Sequence, residues 1–166
     1  MAPISERMVD ALNKQINAEI YSAYLYLSMA AFFESKNLKG FANWMKVQWQ
    51  EELGHAMKIF EFVNERSGRV KLYSIKEPQS EWSSPLEVFK NVYNHEVEVT
   101  RRIHELVELA MAEKDYATLN FLQWFIKEQV EEEAAALEIL EKLKIIAEDK
   151  AALILLDGEL SKRKFS

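Results

Sequence analysis

The chain has 166 residues, 49% of them hydrophobic and 29% charged, with only four Gly and three Pro, a pattern typical of a single domain built from long helices. It contains no Cys, which excludes disulfides, zinc–thiolate sites and thiol nucleophiles, and its net charge of −6 argues against nucleic acid as a partner but suits cations. Nothing resembles a signal peptide or reaches the roughly 20 apolar residues of a membrane span, so we expect a cytoplasmic protein with no membrane partner.

Apolar residues recur at helical spacing in five segments and predict four long helices and a shorter fifth. These are α1 over residues 5–36, α2 over 40–67, α3 over 85–113, α4 over 116–147 and α5 over 150–164. Ser5 and Asp115 are expected to cap the starts of α1 and α4, and Ser84-Pro85-Leu86-Glu87 is a capping box before α3. Gly68 is expected at the C-terminal cap of α2.

Between α2 and α3 the helical periodicity lapses, which indicates an extended crossover over residues 69–83. A segment of about fifteen extended residues reaches about 50 Å, whereas a helix of about 29 residues is about 44 Å long. The crossover can therefore run the full length of a helix. The sequence predicts an all-α four-helix bundle, with two hairpins joined by one long crossover and a short C-terminal helix.

Each of the four long helices carries an acidic residue within its apolar row, near the middle of the helix. The residues are Glu19 in α1, Glu52 in α2, Glu96 in α3 and Glu132 in α4. Two further polar residues share these rows, His55 three residues after Glu52 and Gln129 three before Glu132. Residues near the middle of a helix lie at the same level of the bundle whichever way the helix runs. We therefore expect the six side chains to meet in one layer of the bundle.

A single Glu on an apolar helix face is usually a boundary residue whose carboxylate reaches water. Agreement among four helices favours a convergent site, although a bundle with partly wet carboxylates and no metal stays the alternative. Buried carboxylates take up protons unless cations neutralise them, and no Lys or Arg lies on these rows at this level. We therefore expect two divalent cations with Glu52 as the bridge between them.

One predicted ion would be bound by Glu19, Glu52 and His55. The other would be bound by Glu52, Glu96 and Glu132, with Gln129 nearby. An oxygen-rich set of ligands with a single imidazole suits Fe or Mn and, less well, Zn.

Four motifs carry a resemblance to a known family over essentially the whole chain. They are Asn17-Ala18-Glu19 with Tyr21 to Tyr26, Glu51-Glu52 through His55, His95-Glu96, and Glu128-Gln129-Val130-Glu131-Glu132-Glu133. In these the chain resembles the non-haem ferritins of bacteria and archaea. The resemblance implies a ferritin-like bundle whose ferroxidase centre binds two Fe(II) ions and oxidises them with dioxygen or peroxide. It also implies a homo-oligomeric shell of 24 subunits that stores ferric oxyhydroxide.

The resemblance assigns roles to residues beyond the six. Glu51, Glu128 and Glu131 match a third iron site and exit route of some family members, with a solvated acidic face as the alternative for all three. Tyr26 matches a tyrosine beside the centre and Trp124 a neighbouring aromatic; either could donate an electron or simply pack in the core.

Two departures from related families bear on cofactors and competing functions. Leu53 stands where a haem-binding relative has Met, and the fourth helix has Gln129 in place of a second Glu-x-x-His motif, so we expect no haem. A di-metal enzyme acting on peroxide or an organic substrate, without storage, is the rival function. Trp49, Trp82 and α5 are candidate subunit contacts, and Gly54 in mid-helix suggests close approach of a neighbouring helix.

Overall fold

The computed structural model describes residues 3–166 and contains five helices. They are α1 Glu6–Ser35, α2 Lys39–Glu65, α3 Pro85–Ala112, α4 Tyr116–Ile146 and α5 Lys150–Leu160. Residues 3–166 contain no β-strand, and the predicted all-α bundle is confirmed. The fifth helix ends at Leu160, whereas the apolar pattern predicted an end at residue 164. Within the described residues, none of the helices combines the length and apolar character needed to cross a bilayer.

Short turns at residues 36–38 and 113–115 make α1 and α2 one hairpin and α3 and α4 the other. Helix α1 also packs on α3, and α5 packs on α2 and, less extensively, on α4. The predicted caps of α1, α3 and α4 are present, since Ser5, Ser84 and Asp115 each accept a hydrogen bond from a first-turn amide. The local sequence therefore sets where these three helices begin.

The crossover over residues 66–84 has no regular structure and lies along α1. Three polar side chains of α1 donate hydrogen bonds to its backbone carbonyls. The pairs are Asn13 with Arg69 (3.0 Å), Asn17 with Ser74 (3.1 Å) and Ser28 with Gln79 (2.7 Å). These bonds satisfy carbonyl groups that an irregular segment could not pair by itself.

Helices α1, α2 and α3 each end with a non-glycine residue in the left-handed conformation. The residues are Asn37, Ser67 and Lys114, with φ of 58°, 61° and 55°. After Ser67, the amide of Gly68 donates to the carbonyl of Val63 at 2.8 Å and completes the cap. Gly68 takes part in the cap as predicted, but Ser67 carries the left-handed conformation. A Cβ at Gly68 would lie 2.8 Å from Val9.

The buried apolar side chains form two clusters, one toward each end of the bundle. The first contains Phe33, Phe41 and Phe89, and the second contains Leu12, Ile103 and Leu122, among others. On every long helix, buried polar residues lie between the buried members of the two clusters. The polar layer predicted from the sequence therefore lies between two dry apolar regions.

Trp82 belongs to the first apolar cluster, where it is 7% exposed and packs on Phe32. Its indole N–H donates to Asn91 at 3.1 Å. Trp82 therefore belongs to the core of its own subunit and offers little surface for the predicted subunit contact, whereas Trp49 is only partly buried.

Helix α5 supplies the cap that α2 lacks in its own sequence. Leu38 precedes α2 and makes no side-chain hydrogen bond to its first turn. Instead Asp157 accepts a hydrogen bond from the amide of Phe41 at 2.9 Å. The contact is so close that a Cβ at Gly40 would lie 1.6 Å from the backbone oxygen of Asp157. A glycine is required at this position for α5 to dock.

Gly40→Ala should lower the free energy of unfolding by about 1–3 kcal/mol, because the added methyl group forces α5 away from α2. Gly54→Ala is the matched control. Nothing described lies within 4 Å of a Cβ at Gly54, so the expected close approach of a helix of the same chain is wrong. There alanine should stabilise the helix by about 1 kcal/mol. Chemical denaturation of both variants tests this, and equal stability of the parent and Gly40→Ala would contradict the docking argument.

Candidate metal centre

Four carboxylates meet in the layer between the two apolar clusters, one from each long helix. Glu19, Glu52, Glu96 and Glu132 are 1%, 2%, 1% and 8% exposed. His55 and Gln129 are buried beside them, at 5% and 3%. The structure thus brings together all six residues that the sequence analysis placed at one level. Burial of this many acidic groups is costly without compensation.

Within the six residues of the layer, the ligand atoms converge in two groups, and Glu52 belongs to both. One group consists of Glu19, Glu52 and His55, and the other of Glu52, Glu96 and Glu132, with the ligand atoms of each within 4.8 Å of one another. In the first group, His55 Nδ1 lies 3.3 Å from Glu52 Oε2 and 3.8 Å from Glu19 Oε2. Two cations held in this arrangement would share the Glu52 carboxylate.

One oxygen of the first group has no hydrogen-bond partner. Glu19 Oε1 accepts from Gln15 Nε2 at 3.0 Å, whereas Glu19 Oε2 is buried and unpaired. An unpaired carboxylate oxygen in a dry interior costs free energy that a bound cation would recover. The donor set, mostly carboxylate oxygen with one imidazole, suits iron. The residues therefore fit a divalent iron site.

Neutral side chains donate hydrogen bonds to four further carboxylate oxygens of the layer. Gln48 Nε2 donates to both Glu52, at 3.1 Å, and Glu132. Gln129 Nε2 donates to Glu96 Oε2 at 3.2 Å, and the Tyr26 hydroxyl donates to the other oxygen of Glu96. No sequence motif singles out Gln48; only its contacts reveal a function.

A family model described as a ferritin-like domain matches residues 9–146 of the chain. The chain belongs to the ferritin family. Bacterial non-heme ferritins from Bacteroides fragilis and Staphylococcus aureus are 44% and 41% identical to it over 160 and 162 residues. These matches cover 96% and 98% of this chain and 99% and 98% of the relatives. The resemblance to non-haem ferritins found in the sequence is confirmed.

Solved ferritin structures from the hyperthermophilic archaeon Archaeoglobus fulgidus are similar along the whole chain. An open-pore ferritin superposes with a TM-score of 0.98 at 71% identity, covering 99% of this chain and 100% of that one. A form of that ferritin engineered to be closed gives 0.97 at 71%, covering 98% and 99%. Membership in this family supports iron storage with ferroxidase activity and implies that the chain binds iron.

Burial raises the pKa of three of the four carboxyl groups in the layer of this ferritin. It raises the pKa of Glu52 well above its ordinary value, and the charges of Glu19 and Glu96 add to that shift. Burial and the charge of Glu96 raise the pKa of Glu132 to about 8. Burial also raises the pKa of Glu96 to about 7, although hydrogen bonds from Tyr26 and Gln129 oppose the change. Without cations, the layer therefore retains protons at neutral pH.

His55 is held in its charged form by its neighbours. Burial alone would lower its pKa, but the carboxylates of Glu128, Glu19 and Glu52 raise it well above the usual range. Burial likewise opposes ionisation of Glu19, yet its interactions with His55 and Glu52 lower the pKa of that carboxyl. A metal ion at this position would replace the proton of His55.

The three residues assigned to a third iron site occupy different surroundings. Glu128 Oε1 lies 3.7 Å from His55 Nε2, and Glu128 converges with His55 and Glu132. Glu51 forms an ion pair with Arg163 at 3.0 Å, and Glu131 is exposed. Neither of these two belongs to a converging group, so a third iron site using all three residues stays a prediction.

Aromatic side chains and a second histidine border the site. The ring of Trp124 packs edge-on against His55 at 5.3 Å between centroids, beneath the ammonium group of Lys58. His95 belongs to none of the converging groups of the described residues, and its Nε2 is hydrogen-bonded to the Ser22 hydroxyl at 2.7 Å.

Metal binding should release protons and strengthen as the pH rises from 6 to 8. The carboxyls with pKa of about 7 and about 8 hold protons below those values, and a cation must displace them, so a lower pH weakens binding. Calorimetric titration with redox-inert Zn(II) in buffers of different ionisation enthalpy measures both effects. Binding without proton release would contradict these protonation states, and Glu131→Gln should behave like the parent.

Proposed function

We propose that the buried layer is a ferroxidase centre that takes two Fe(II) ions as substrate. Glu19, Glu52 and His55 would bind the first ion. Glu52, Glu96 and Glu132 would bind the second, with Gln129 beside it. The observation that carries the proposal is the sharing of Glu52 between two converging ligand groups in a layer sealed by apolar clusters.

Two adjacent iron ions suit a two-electron reaction with oxygen. Each Fe(II) gives up one electron, so a pair can reduce one dioxygen, with two protons, to hydrogen peroxide, or can reduce peroxide to water. A bridging carboxylate keeps the ions close enough for both electrons to reach one oxidant molecule. The apolar clusters exclude bulk water, and this strengthens the electrostatic attraction between the four carboxylates and the more highly charged Fe(III) ions.

Tyr26 and Glu128 are proposed to assist the centre from either side. Tyr26 is fully buried and holds one oxygen of Glu96, so it orients that ligand and is placed to donate an electron. Glu128 contacts His55, and its side chain is 22% exposed, which offers iron a carboxylate on the way to the surface. These roles rest on placement beside the ligands.

We further propose that residues 1–166 form one ferritin-like domain and that 24 copies assemble in the cytoplasm into a hollow shell that stores ferric oxyhydroxide. Large apolar side chains on and before α5 remain uncovered within one subunit and are suited to contacts between subunits. Ile145, Ile154 and Leu155 are 85%, 66% and 76% exposed. The solved relatives include both an open-pore ferritin and an engineered closed form, so this fold accommodates more than one pore size.

The assembled particle should have about 24 times the 19.4 kDa mass of the subunit and appear hollow in electron micrographs. Light scattering of the purified protein measures the mass. A dimer as the only species would contradict the shell and favour a single-site di-metal enzyme.

Glu52→Ala should slow rapid Fe(II) oxidation by about a hundredfold or more, because it removes a ligand from both iron positions. The fold should persist, since the substitution also removes a buried acidic group. Stopped-flow absorbance after mixing anaerobic Fe(II)-loaded protein with oxygenated buffer measures the rate, and circular dichroism checks the fold. Glu131→Ala, which removes an exposed carboxylate, is the control. A Glu52→Ala rate equal to that of the parent would reject the assignment.

A further inference from the structure

The segment that follows α5 folds back onto α2, where the side chain of Asn43 binds its backbone. Asn43 Nδ2 donates to the backbone carbonyls of Leu160, Ser161 and Arg163, at 3.2, 3.3 and 2.9 Å. These bonds satisfy carbonyls at the end of α5 and set the direction of the chain beyond it. The segment therefore reaches the edge of the iron site in a defined conformation.

Arg163 is the residue that this segment delivers. Its guanidinium group lies over the ring of Trp44 at 4.3 Å, and Nη1 donates to the Trp44 carbonyl at 3.1 Å. Nη2 donates to Gln48 Oε1 at 2.9 Å and to Glu51 Oε2 at 3.0 Å. Stacking and three acceptor contacts at fixed angles require the planar, multidentate guanidinium and would not be met by lysine.

Gln48 connects Arg163 to the carboxylates of the second iron position. The side chain of Gln48 is 1% exposed, and its Nε2 donates to Glu52 and to Glu132. Reversing the amide would place its oxygen against both carboxylates. Arg163 can only donate, so its bond to Oε1 favours the one orientation in which the amide nitrogen faces the carboxylates.

We propose that Arg163 is a positioning residue of the iron site. Through Gln48 it holds Glu52 and Glu132 in place for the second ion, and through its ion pair it holds the Glu51 carboxylate outside the ligand set. The inference rests on the proposed two-ion site. It assigns to the C-terminal segment a role in the affinity and geometry of that site, in addition to any role in packing.

The second position should depend on Arg163 more than the first. Gln48 contacts Glu52 Oε1, whereas His55 lies against Glu52 Oε2, so the Arg163 contacts act on the side of Glu52 away from the first position. Groups that orient ligands in this way typically change metal affinity by about ten- to a hundredfold when they are removed. The second equivalent of metal should lose affinity by such a factor, with a smaller change in the first.

Anaerobic titration with Co(II), followed by visible absorption, tests the proposal without turnover, because the d–d bands report affinity and ligand geometry. Arg163→Gln should bind the second equivalent about ten- to a hundredfold more weakly and with altered bands. Arg163→Lys keeps the positive charge but not the planar guanidinium group, so its affinity for the second equivalent should lie between those of Arg163→Gln and the parent. Lys162→Gln removes the same charge from an exposed neighbouring position and should titrate like the parent.

A parent-like titration of Arg163→Gln would overturn the inference. An equal loss of affinity in Lys162→Gln would also overturn it, because the loss would then follow from the change in net charge alone. If the parent itself fails to bind two Co(II) ions per subunit, the proposed two-ion site fails instead. Gln48→Leu supplies a second test that holds even if Arg163→Gln does not fold. Gln48→Leu should show the same selective loss of affinity for the second equivalent, and the double variant with Arg163→Gln should bind metal no more weakly than Gln48→Leu alone. Parent-like binding by Gln48→Leu also overturns the inference.

Discussion

The structure depends on four acidic groups that cannot all be charged in a dry interior unless cations join them. Each of the long helices contributes one of these groups, and apolar clusters above and below exclude the water that would otherwise solvate them. Mutual repulsion and burial push the carboxyls of Glu52, Glu96 and Glu132 toward their protonated forms. Without cations the layer costs stability, and its acidic groups are suited to binding divalent ions.

The surroundings of the acids preserve that preference. Gln15, Gln48, Gln129 and Tyr26 satisfy individual carboxylate oxygens with neutral donors, which order the ligands without neutralising them. Buried lysine or arginine partners would have formed permanent ion pairs and removed the need for metal. An unpaired oxygen on Glu19 and the shared position of Glu52 remain for ions to complete. Under the proposed function, iron would enter and leave as a substrate instead of serving as a fixed part of the fold.

The short fifth helix is connected to this centre through α2 at two places. Asp157 caps the first turn of α2, and the chain beyond α5 returns to α2 through Asn43 and Arg163. Helix α2 also carries Glu52 and His55, so α5 braces a helix that supplies two of the candidate iron ligands. If α5 contacts other subunits in a shell, α2 would be linked both to subunit assembly and to the geometry of the candidate ligands.

Local patterns in the sequence determined the all-α fold, the starts of α1, α3 and α4, and the rows that carry the six candidate ligands. Each of these depends on residues three or four positions apart, or on caps within a few residues, and such relations are visible in one dimension. The left-handed residue after α2 was one position from the expected one, because several residue types tolerate that conformation at a helix end.

The tertiary structure alone decided the contacts between residues distant in the chain. Arg163 is more than a hundred residues from Gln48, Trp82 packs inward, and Gly40 is explained only by the backbone of α5. The three acidic residues matched to a third site have three different environments, which a shared motif cannot distinguish. Periodicity states which face of a helix a residue occupies, but its partner depends on how the helices pack, and that depends on the whole chain at once.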